Sequence, residues 1–337
     1  MKKIKLLLLM LIGLVGLCLL ASCAKKEPEV LDFVSNGDGT CYVSGIGSFA
    51  GNKIVVPETS PAGDRVTGIG SYAFGLNSSI TEILIPEGVT DIGNYAFYRC
   101  TALQNVTIPA SVRKLGKGAF YLCRSLSNAV IPEGVTEIED DLFYGCNSLQ
   151  YVSIPQSVTT IGDSSFYGCS VLGSVTFPDH LQGIGKDAFY GCRALKTLLI
   201  PQSVTWVGGD AFYYCTGLEK INIESIDAWF MIDFYNVTSN PLTYGHELYV
   251  NGAPVVDIVV PEDLSEIKKN TFAYCTTIKT VTLHPGIVSV GNEAFHQCTS
   301  LTDLYCTVPS GKMPHIDSGS NNEYLKNATI HYADAES

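Results

Sequence analysis

Residues 89–111 read VTDIGNYAFYRCTALQNVTIPAS, and residues 112–134 read VRKLGKGAFYLCRSLSNAVIPEG. The two segments align along their whole length, with Ala-Phe-x-x-Cys in the middle and Ile-Pro near the end. The unit V-T-x-I-G-x-x-A-F-x-x-C-x-x-L-x-x-V-x-I-P-x-x recurs with a period of 23 residues. A fixed period of this size predicts a repeat architecture in which each unit packs against its neighbours.

Cysteine and phenylalanine mark the period along most of the 337 residues. Cysteines are spaced by 23 residues at Cys100, Cys123, Cys146, Cys169, Cys192 and Cys215, and the spacing resumes at Cys275 and Cys298. A phenylalanine lies three residues before each of them. Seven contiguous copies occupy residues 66–226, with Asn77 in place of the first cysteine, and two more copies occupy residues 264–309.

Each part of the unit predicts a local structure. The V-x-I stretch alternates like a short strand, and the proline after it ends the strand because it cannot donate a ladder hydrogen bond. Val-Thr-x-Ile-Gly predicts a second short extended segment that glycine closes with a turn. Phe and Cys, three residues apart, fit one helical or 3₁₀ turn that directs both side chains inward. Together these predict a right-handed solenoid with a parallel β-sheet along one face.

An insertion interrupts the array at residues 227–263. It contains several aromatic residues, Trp229 among them, and the turn dipeptide Asn251-Gly252. Leu248–Val250 and Val255–Val260 on either side of this dipeptide predict a β-hairpin. The hairpin either packs on the flank of the solenoid or projects from it and helps to form a binding site.

The N-terminus resembles the signal of bacterial lipoproteins. Three lysines precede an apolar run from Leu6 to Leu20, too short for a comfortable membrane span. Leu20-Ala21-Ser22-Cys23 resembles a lipobox, which implies cleavage of residues 1–22 and lipid attachment to Cys23. Loss of the lysines would change the net charge from −12 to −15. Residues 23–65 are then expected to form a tether and an N-terminal cap, and residues 310–337 a C-terminal cap.

The nine A/S/L/T-F repeat cores and the Ile-Pro strand ends resemble the BspA-like leucine-rich repeats of bacterial surface proteins. Ser35–Tyr42 is similar to the N-terminal cap of that family, and Ala328–His331 to a closing strand. Glu224 and His284 depart from the pattern, since they replace the proline that ends the strand. The resemblance implies a non-catalytic binding protein outside the cytoplasm and does not identify a ligand.

Several function classes are not expected. The acidic chain has no basic stripe to neutralise the phosphates of nucleic acid. Its cysteines lack the short paired spacing of metal sites, and stacked neighbours are poorly placed for disulfides, so buried thiols are predicted. Cys306 fits a core strand position, and the state of Cys41 stays open. No G-x-S-x-G motif or histidine pair marks a catalytic centre. We therefore expect no enzyme activity, cofactor or metal.

Two surfaces are candidates for binding. A tyrosine follows the repeat phenylalanine in six of the nine copies and predicts an outer aromatic ladder of Tyr98, Tyr121, Tyr144, Tyr167, Tyr190 and Tyr213. Trp229 of the insertion is a further candidate. The ladder is either half-buried between coils or open to a sugar or protein. Outward strand residues form the second candidate, a face with little charge. It comprises Leu84, Thr107, Val130, Tyr151, Ser153, Thr176, Leu199 and Lys220.

These features predict a lipid-anchored protein of the bacterial cell envelope, at the outer membrane or cell surface. Adhesion to a protein or host surface is the expected function. The alternative is capture of polysaccharide through the tyrosine ladder or the insertion. The membrane would be contacted through the lipid only, because no second apolar segment of membrane length follows the signal.

Overall fold

The computed structural model describes residues 30–307, 315–316 and 321–332, the pair 315–316 by its backbone only. In chain order the first strands are β1 (Asp32–Ser35), β2 (Thr40–Gly45), β3 (Lys53–Val55), β4 (Arg65–Ile69), β5 (Glu82–Leu84), β6 (Asp91–Ile92), β7 (Asn105–Thr107), β8 (Lys114–Leu115), β9 (Asn128–Val130), β10 (Glu137–Ile138), β11 (Tyr151–Ser153), β12 (Thr160–Ile161), β13 (Gly183–Ile184), β14 (Thr197–Ile200), β15 (Trp206–Val207) and β16 (Lys220–Ile223). The following elements are α1 (Ile226–Met231), β17 (Asp233–Phe234), a 3₁₀ turn (Val237–Ser239), α2 (Leu242–Gly245), β18 (Leu248–Val250), β19 (Ala253–Pro254), β20 (Asp257–Val259), β21 (Glu266–Ile267), β22 (Thr280–Leu283), β23 (Ser289–Val290), β24 (Asp303–Cys306), β25 (His315–Ile316), α3 (Glu323–Asn327) and β26 (Thr329–Tyr332).

The strands stack in two columns, which makes the chain a parallel solenoid of about twelve turns. Column A contains the V-x-I strands β3, β5, β7, β9, β11, β14, β16, β18, β20, β22, β24 and β26. Column B contains the strands β2, β4, β6, β8, β10, β12, β13, β15, β17, β21, β23 and β25, most of them formed by Val-Thr-x-Ile-Gly segments. Neighbours within a column pair in parallel, as Glu137 does with Thr160. The predicted fold class is therefore confirmed, and the second extended segment pairs as well.

The pairing within column A is not continuous. Residues 174–176, between β12 and β13, take the column A position of their coil without forming a regular strand. This accounts for the break between β11 and β14. With further breaks after β7 and after β19, column A consists of the sheets β3-β5-β7, β9-β11, β14-β16-β18-β19 and β20-β22-β24-β26. Thr176 is exposed there like the outward residues of the neighbouring strands.

The Ala-Phe-x-x-Cys segments form a chain of turns and not the single helical turn that their spacing predicts. The amide of Phe97 donates to Ala119 of the next coil, whereas the amide of Tyr98 donates back to Tyr95. This alternation continues at Arg99 and Cys100. It requires left-handed backbone at two residues of the coil, Tyr95 (φ 55°) and Arg99 (φ 57°). Backbone donors of this segment thus bond alternately to the next coil and to their own turn.

The repeat phenylalanines and cysteines lie in the core, as predicted. Phenylalanine rings of adjacent coils stack with centroids 5.1–5.6 Å apart, in a row from Phe74 to Phe212. Each cysteine of the main array donates its thiol to the carbonyl of the phenylalanine in the preceding coil, as Cys146 does to Phe120 at 3.2 Å. The side chains of these phenylalanines and cysteines are almost completely buried. The core therefore runs as a continuous row along the solenoid.

The insertion contains the predicted hairpin, but its second strand is not where we predicted it. β18 and β19 pair in antiparallel fashion around Asn251-Gly252, with Val250 opposite Ala253. Residues 257–259, predicted to belong to the hairpin, form β20 and pair in parallel with β22. The insertion also adds a coil to the solenoid, because β17 pairs with β15 and β18 with β16.

Both strand columns are interrupted at the insertion, column A between β18 and β20 and column B between β17 and β21, and side chains connect the two parts of the array. Trp229 Nε1 donates to the carbonyl of Thr271 at 2.8 Å. Asn240 Nδ2 donates to the carbonyls of Asn270 and Thr271, and Asn270 Nδ2 donates to that of Phe234. We call this region the junction.

Candidate functional site

The outward side chains of column A form a long exposed surface, which we call the strand face. Strand alternation creates it, because every second residue points into the core. In β9, for example, Ala129 is buried while Val130 is 62% exposed. Leu84, Tyr151 and Leu199 are also exposed large apolar residues of this face.

The structure places the predicted binding residues together on this face. Leu84, Thr107, Val130, Tyr151, Thr176, Leu199 and Lys220 are exposed, and Ser153 is half-buried. The apolar row extends further than the sequence prediction, to Val55 in β3, Val259 in β20 and Tyr305 in β24. These positions could have been found by applying the same alternation to the strands outside the seven contiguous copies.

The tyrosine ladder exists, and its rings cover one another. Tyr121, Tyr144, Tyr167 and Tyr190 stack with centroids 4.5–4.7 Å apart and planes within 7° of parallel. Each inner ring therefore has both faces occupied, and its edge and hydroxyl are the parts left to contact solvent. Tyr98 stacks on Tyr121 at one end, and Tyr213 contacts Tyr190 edge-on at the other. Burial raises the pKa of Tyr121 and Tyr144.

Trp229 is not part of this surface. Its side chain is 1% exposed, packs against Phe234 with centroids 5.2 Å apart and donates its indole N–H to Thr271. The suggestion that Trp229 binds a ligand is therefore wrong. An amphipathic helical turn, α1, explains its position, because Trp229 and Phe230 point inward while Met231 is exposed.

A different aromatic pair, Trp206 and Tyr235, lies on the outer side of column B. Trp206 is 41% exposed and Tyr235 is 69% exposed. Each ring lies over a glycine: a Cβ built on Gly183 would overlap the indole of Trp206, and one on Gly209 would lie 3.0 Å from the ring of Tyr235. Trp206 occupies the x position of V-T-x-I-G, which holds a charged residue in four other copies: Asp91, Lys114, Glu137 and Glu266. Its exposure could therefore have been recognised from the repeat alignment.

The repeat cysteines are not arranged for redox chemistry or metal binding. Burial raises the pKa of Cys100, Cys169 and Cys215 to about 12, so these thiols stay protonated and unreactive at neutral pH. Cys41, whose state the sequence left open, is a buried thiol 3.5 Å from the carbonyl of Asp64. Within residues 30–307 and 321–332, no three His, Cys, Asp or Glu side chains are grouped to hold a metal ion.

Histidines of the C-terminal coils take structural positions. His331 Nε2 lies 2.7 Å from Asp303 Oδ1, and its ring stacks on Tyr305. This hydrogen bond holds the pKa of Asp303 below its ordinary value. Both contacts join β26 to β24, so they fix the last strand of column A to the solenoid.

A family model for the BspA type leucine-rich repeat region matches residues 60–171, 136–240 and 242–332 in six copies. The chain belongs to the BspA-type leucine-rich repeat family. This resemblance, drawn first from the Ala-Phe-x-x-Cys cores, is confirmed. No curated protein matches the chain. In the part of the chain that the structure describes, no helix is long and apolar enough to cross a membrane.

Solved structures of bacterial leucine-rich repeat proteins are similar to this family member. A leucine-rich cell surface protein of Faecalibacterium prausnitzii is 23% identical over 83% of this chain and 94% of its own, with a TM-score of 0.42. A leucine-rich repeat protein of Bacteroides ovatus is 21% identical over 90% of this chain and 98% of its own, with a TM-score of 0.46. The pneumococcal vaccine antigen PcpA is 14% identical over 90% of this chain and 96% of its own, with a TM-score of 0.37.

Proposed function

We propose that this protein is a lipid-anchored, non-catalytic recognition protein of the bacterial cell envelope that binds a protein partner through the strand face. One observation carries the proposal: exposed apolar residues recur along column A, among them Leu84, Val130, Tyr151 and Leu199. Exposed large apolar side chains with polar residues between them are the composition of many protein interfaces. Thr107, Thr176 and Lys220 supply polar groups between these positions.

The strand face suits a protein more than a small ligand because it is long, extending over successive strands from β5 to β16. Tyr151 lies near the middle of the array and combines a large apolar ring with a hydroxyl, a composition enriched at binding hot spots. The tyrosine ladder is a poorer candidate for sugar stacking, since its inner rings already cover one another.

The experiment is saturable binding of the purified protein to immobilised host extracellular-matrix proteins. Val130→Lys and Tyr151→Lys place a charge on the strand face and are expected to weaken binding at least about tenfold, which corresponds to about 1.4 kcal/mol. The control is Val288→Lys, because Val288 is 64% exposed, much like Val130 at 62%, and lies outside column A. Equal binding by Val130→Lys and Val288→Lys would contradict the proposal.

The lipid anchor requires its own experiment, because Cys23 and the signal at residues 1–22 lie outside the described residues. We expect Cys23→Ala to abolish labelling by radioactive palmitate in growing cells. We also expect added protease to remove the chain from intact cells. Protection of the chain from protease would place it on the inner side of the envelope and refute a surface role.

A further inference from the structure

We infer that Trp206 and Tyr235 form a binding platform for a β-linked glucan on the outer side of column B. This site is separate from the strand face, and the inference does not depend on protein recognition there. Both residues are aromatic and exposed. Trp206 lies in β15, and Tyr235 directly follows the neighbouring strand β17.

Strand register places Trp206 and Tyr235 on the same side of neighbouring coils. Trp206 in β15 pairs with Asp233 in β17, and the amide of Tyr235 donates to the carbonyl of Val207. Asp233 and Tyr235 are exposed while Phe234 between them is buried, so both point to the outer side with Trp206. Diagonal neighbours across two paired strands have backbone positions about 7–8 Å apart, so an extended ligand can span both residues.

Glycines leave space for both rings on the neighbouring strand, and the contact is closest for Trp206. Gly183 is the register partner of Trp206 on the preceding strand, and the indole atoms Cε2, Cζ2 and Nε1 lie above it. Any side chain at position 183 would fill the space that the indole occupies. Tyr235 lies over Gly209 in a similar way, and Lys269 Nζ lies 5.4 Å from the centre of the tyrosine ring. The Trp206 indole therefore rests on backbone while 41% of the residue stays exposed, and Tyr235 is 69% exposed beside it.

Flat aromatic faces with polar neighbours match the chemistry of a pyranose. A β-linked glucose unit carries its hydroxyls at the equatorial edge, so axial C–H groups form an apolar face that stacks on an aromatic ring. Asp233 lies beside Trp206 and supplies carboxylate acceptors for the hydroxyls at the edge. Thr160, the partner of Gly183 on its other side, adds a hydroxyl at the margin of the platform.

The local charge favours a neutral polymer. Lys268 Nζ donates to the carbonyl of Met231 and Lys269 Nζ to that of Tyr235, so both ammonium groups are held beside the platform by backbone acceptors. Together with the nearby carboxylate of Asp233, these ammonium groups give the surface charges of both signs. A neutral glucan complements this surface better than a polyanion or a polycation does.

The test uses the full-length protein and two cellulose-type probes. The chain contains only two tryptophans, and Trp229 is buried, so quenching of fluorescence by acrylamide reports mainly on Trp206. Cellohexaose is expected to protect Trp206 from the quencher. Hydroxyethyl cellulose in a native gel is expected to slow migration of the protein. Trp206→Ala and Tyr235→Ala should each weaken binding by about tenfold, the effect of removing about 1.4 kcal/mol of contact energy.

Two further variants separate binding from folding. Gly183→Ala keeps the tryptophan but displaces its ring, so it should weaken binding while Trp206 remains accessible to acrylamide. Tyr151→Ala removes an exposed aromatic residue of the strand face and should leave glucan binding unchanged. Absence of retardation by hydroxyethyl cellulose, or equal retardation of wild type and Trp206→Ala, would overturn the inference. Loss of glucan binding in Tyr151→Ala would also contradict it, because that residue belongs to the other surface.

Discussion

Replacement of Phe143 tests whether the row of phenylalanines holds adjacent coils together. The ring is fully buried, and its centroid lies 5.4 Å from Phe120 and 5.6 Å from Phe166. Phe143→Ala is expected to lower the free energy of unfolding by about 3–5 kcal/mol, from lost burial and the cavity left behind. Phe74 has a stacked partner in Phe97 at the start of the row. Phe74→Ala should lower the free energy of unfolding by about 0.5–1.5 kcal/mol less than Phe143→Ala does, because it removes one stacked aromatic pair and not two.

The assay is urea unfolding followed by circular dichroism, extended to double variants. Phe143→Ala combined with Phe166→Ala removes two touching rings, so their costs should depart from additivity by about 0.5–1.5 kcal/mol. Phe143→Ala combined with Phe295→Ala removes distant rings, and those costs should add within about 0.5 kcal/mol. The same additivity for both pairs would refute the view that stacking between neighbouring coils carries this stability.

Further predictions concern backbone strain and alkaline pH. Gly145→Ala should lower the urea midpoint more than Gly168→Ala does. Both glycines have left-handed backbone (φ 67° and 71°), which costs alanine about 1–2 kcal/mol at either position. Only the new Cβ at position 145 would also overlap the side chain of Leu122. Equal midpoints would show that the overlap is relieved without cost. Burial raises the pKa of Cys169 to about 12 in the folded chain, whereas thiols of the unfolded chain ionise from about pH 8.5. The free energy of unfolding should therefore decline between about pH 8.5 and about pH 12. Urea unfolding at stepped pH measures this decline, and a slope unchanged by Cys169→Ala would contradict the assignment.

The repeat positions made most of the fold predictable. A 23-residue period fixes which residues of successive coils lie beside each other, so the burial of Phe143 and Cys146 followed from spacing alone. The turn geometry of Ala-Phe-x-x-Cys did not follow, because a helical turn and a chain of left-handed turns share a three-residue spacing. Gly145, Gly168 and Gly191 before successive cysteines were the available signal for left-handed backbone.

The candidate sites were predictable only where the repeat register applies. Val130 and Tyr151 occupy a defined strand position, so their exposure could be inferred, and Trp206 offered the same kind of evidence. Trp229 lies in the insertion, where no neighbouring copy indicates which residues point inward. Its burial depends on the contact with Thr271 across the junction, a long-range contact that local sequence does not encode.

The junction has a mechanical consequence. Strand pairing also stops in both columns between the coil of β7 and β8 and the coil of β9 and β10, but there the turn segments stay joined by backbone hydrogen bonds such as that from Phe120 to Leu142. Between Val250 and Asp257 the sheets stop and restart, and side chains such as Asn240 and Asn270 carry much of the connection. Under tension between the proposed lipid anchor and the proposed protein partner, we therefore expect the solenoid to flex at this point first. The coils from β20 onward could then change their angle to the rest without loss of their own packing.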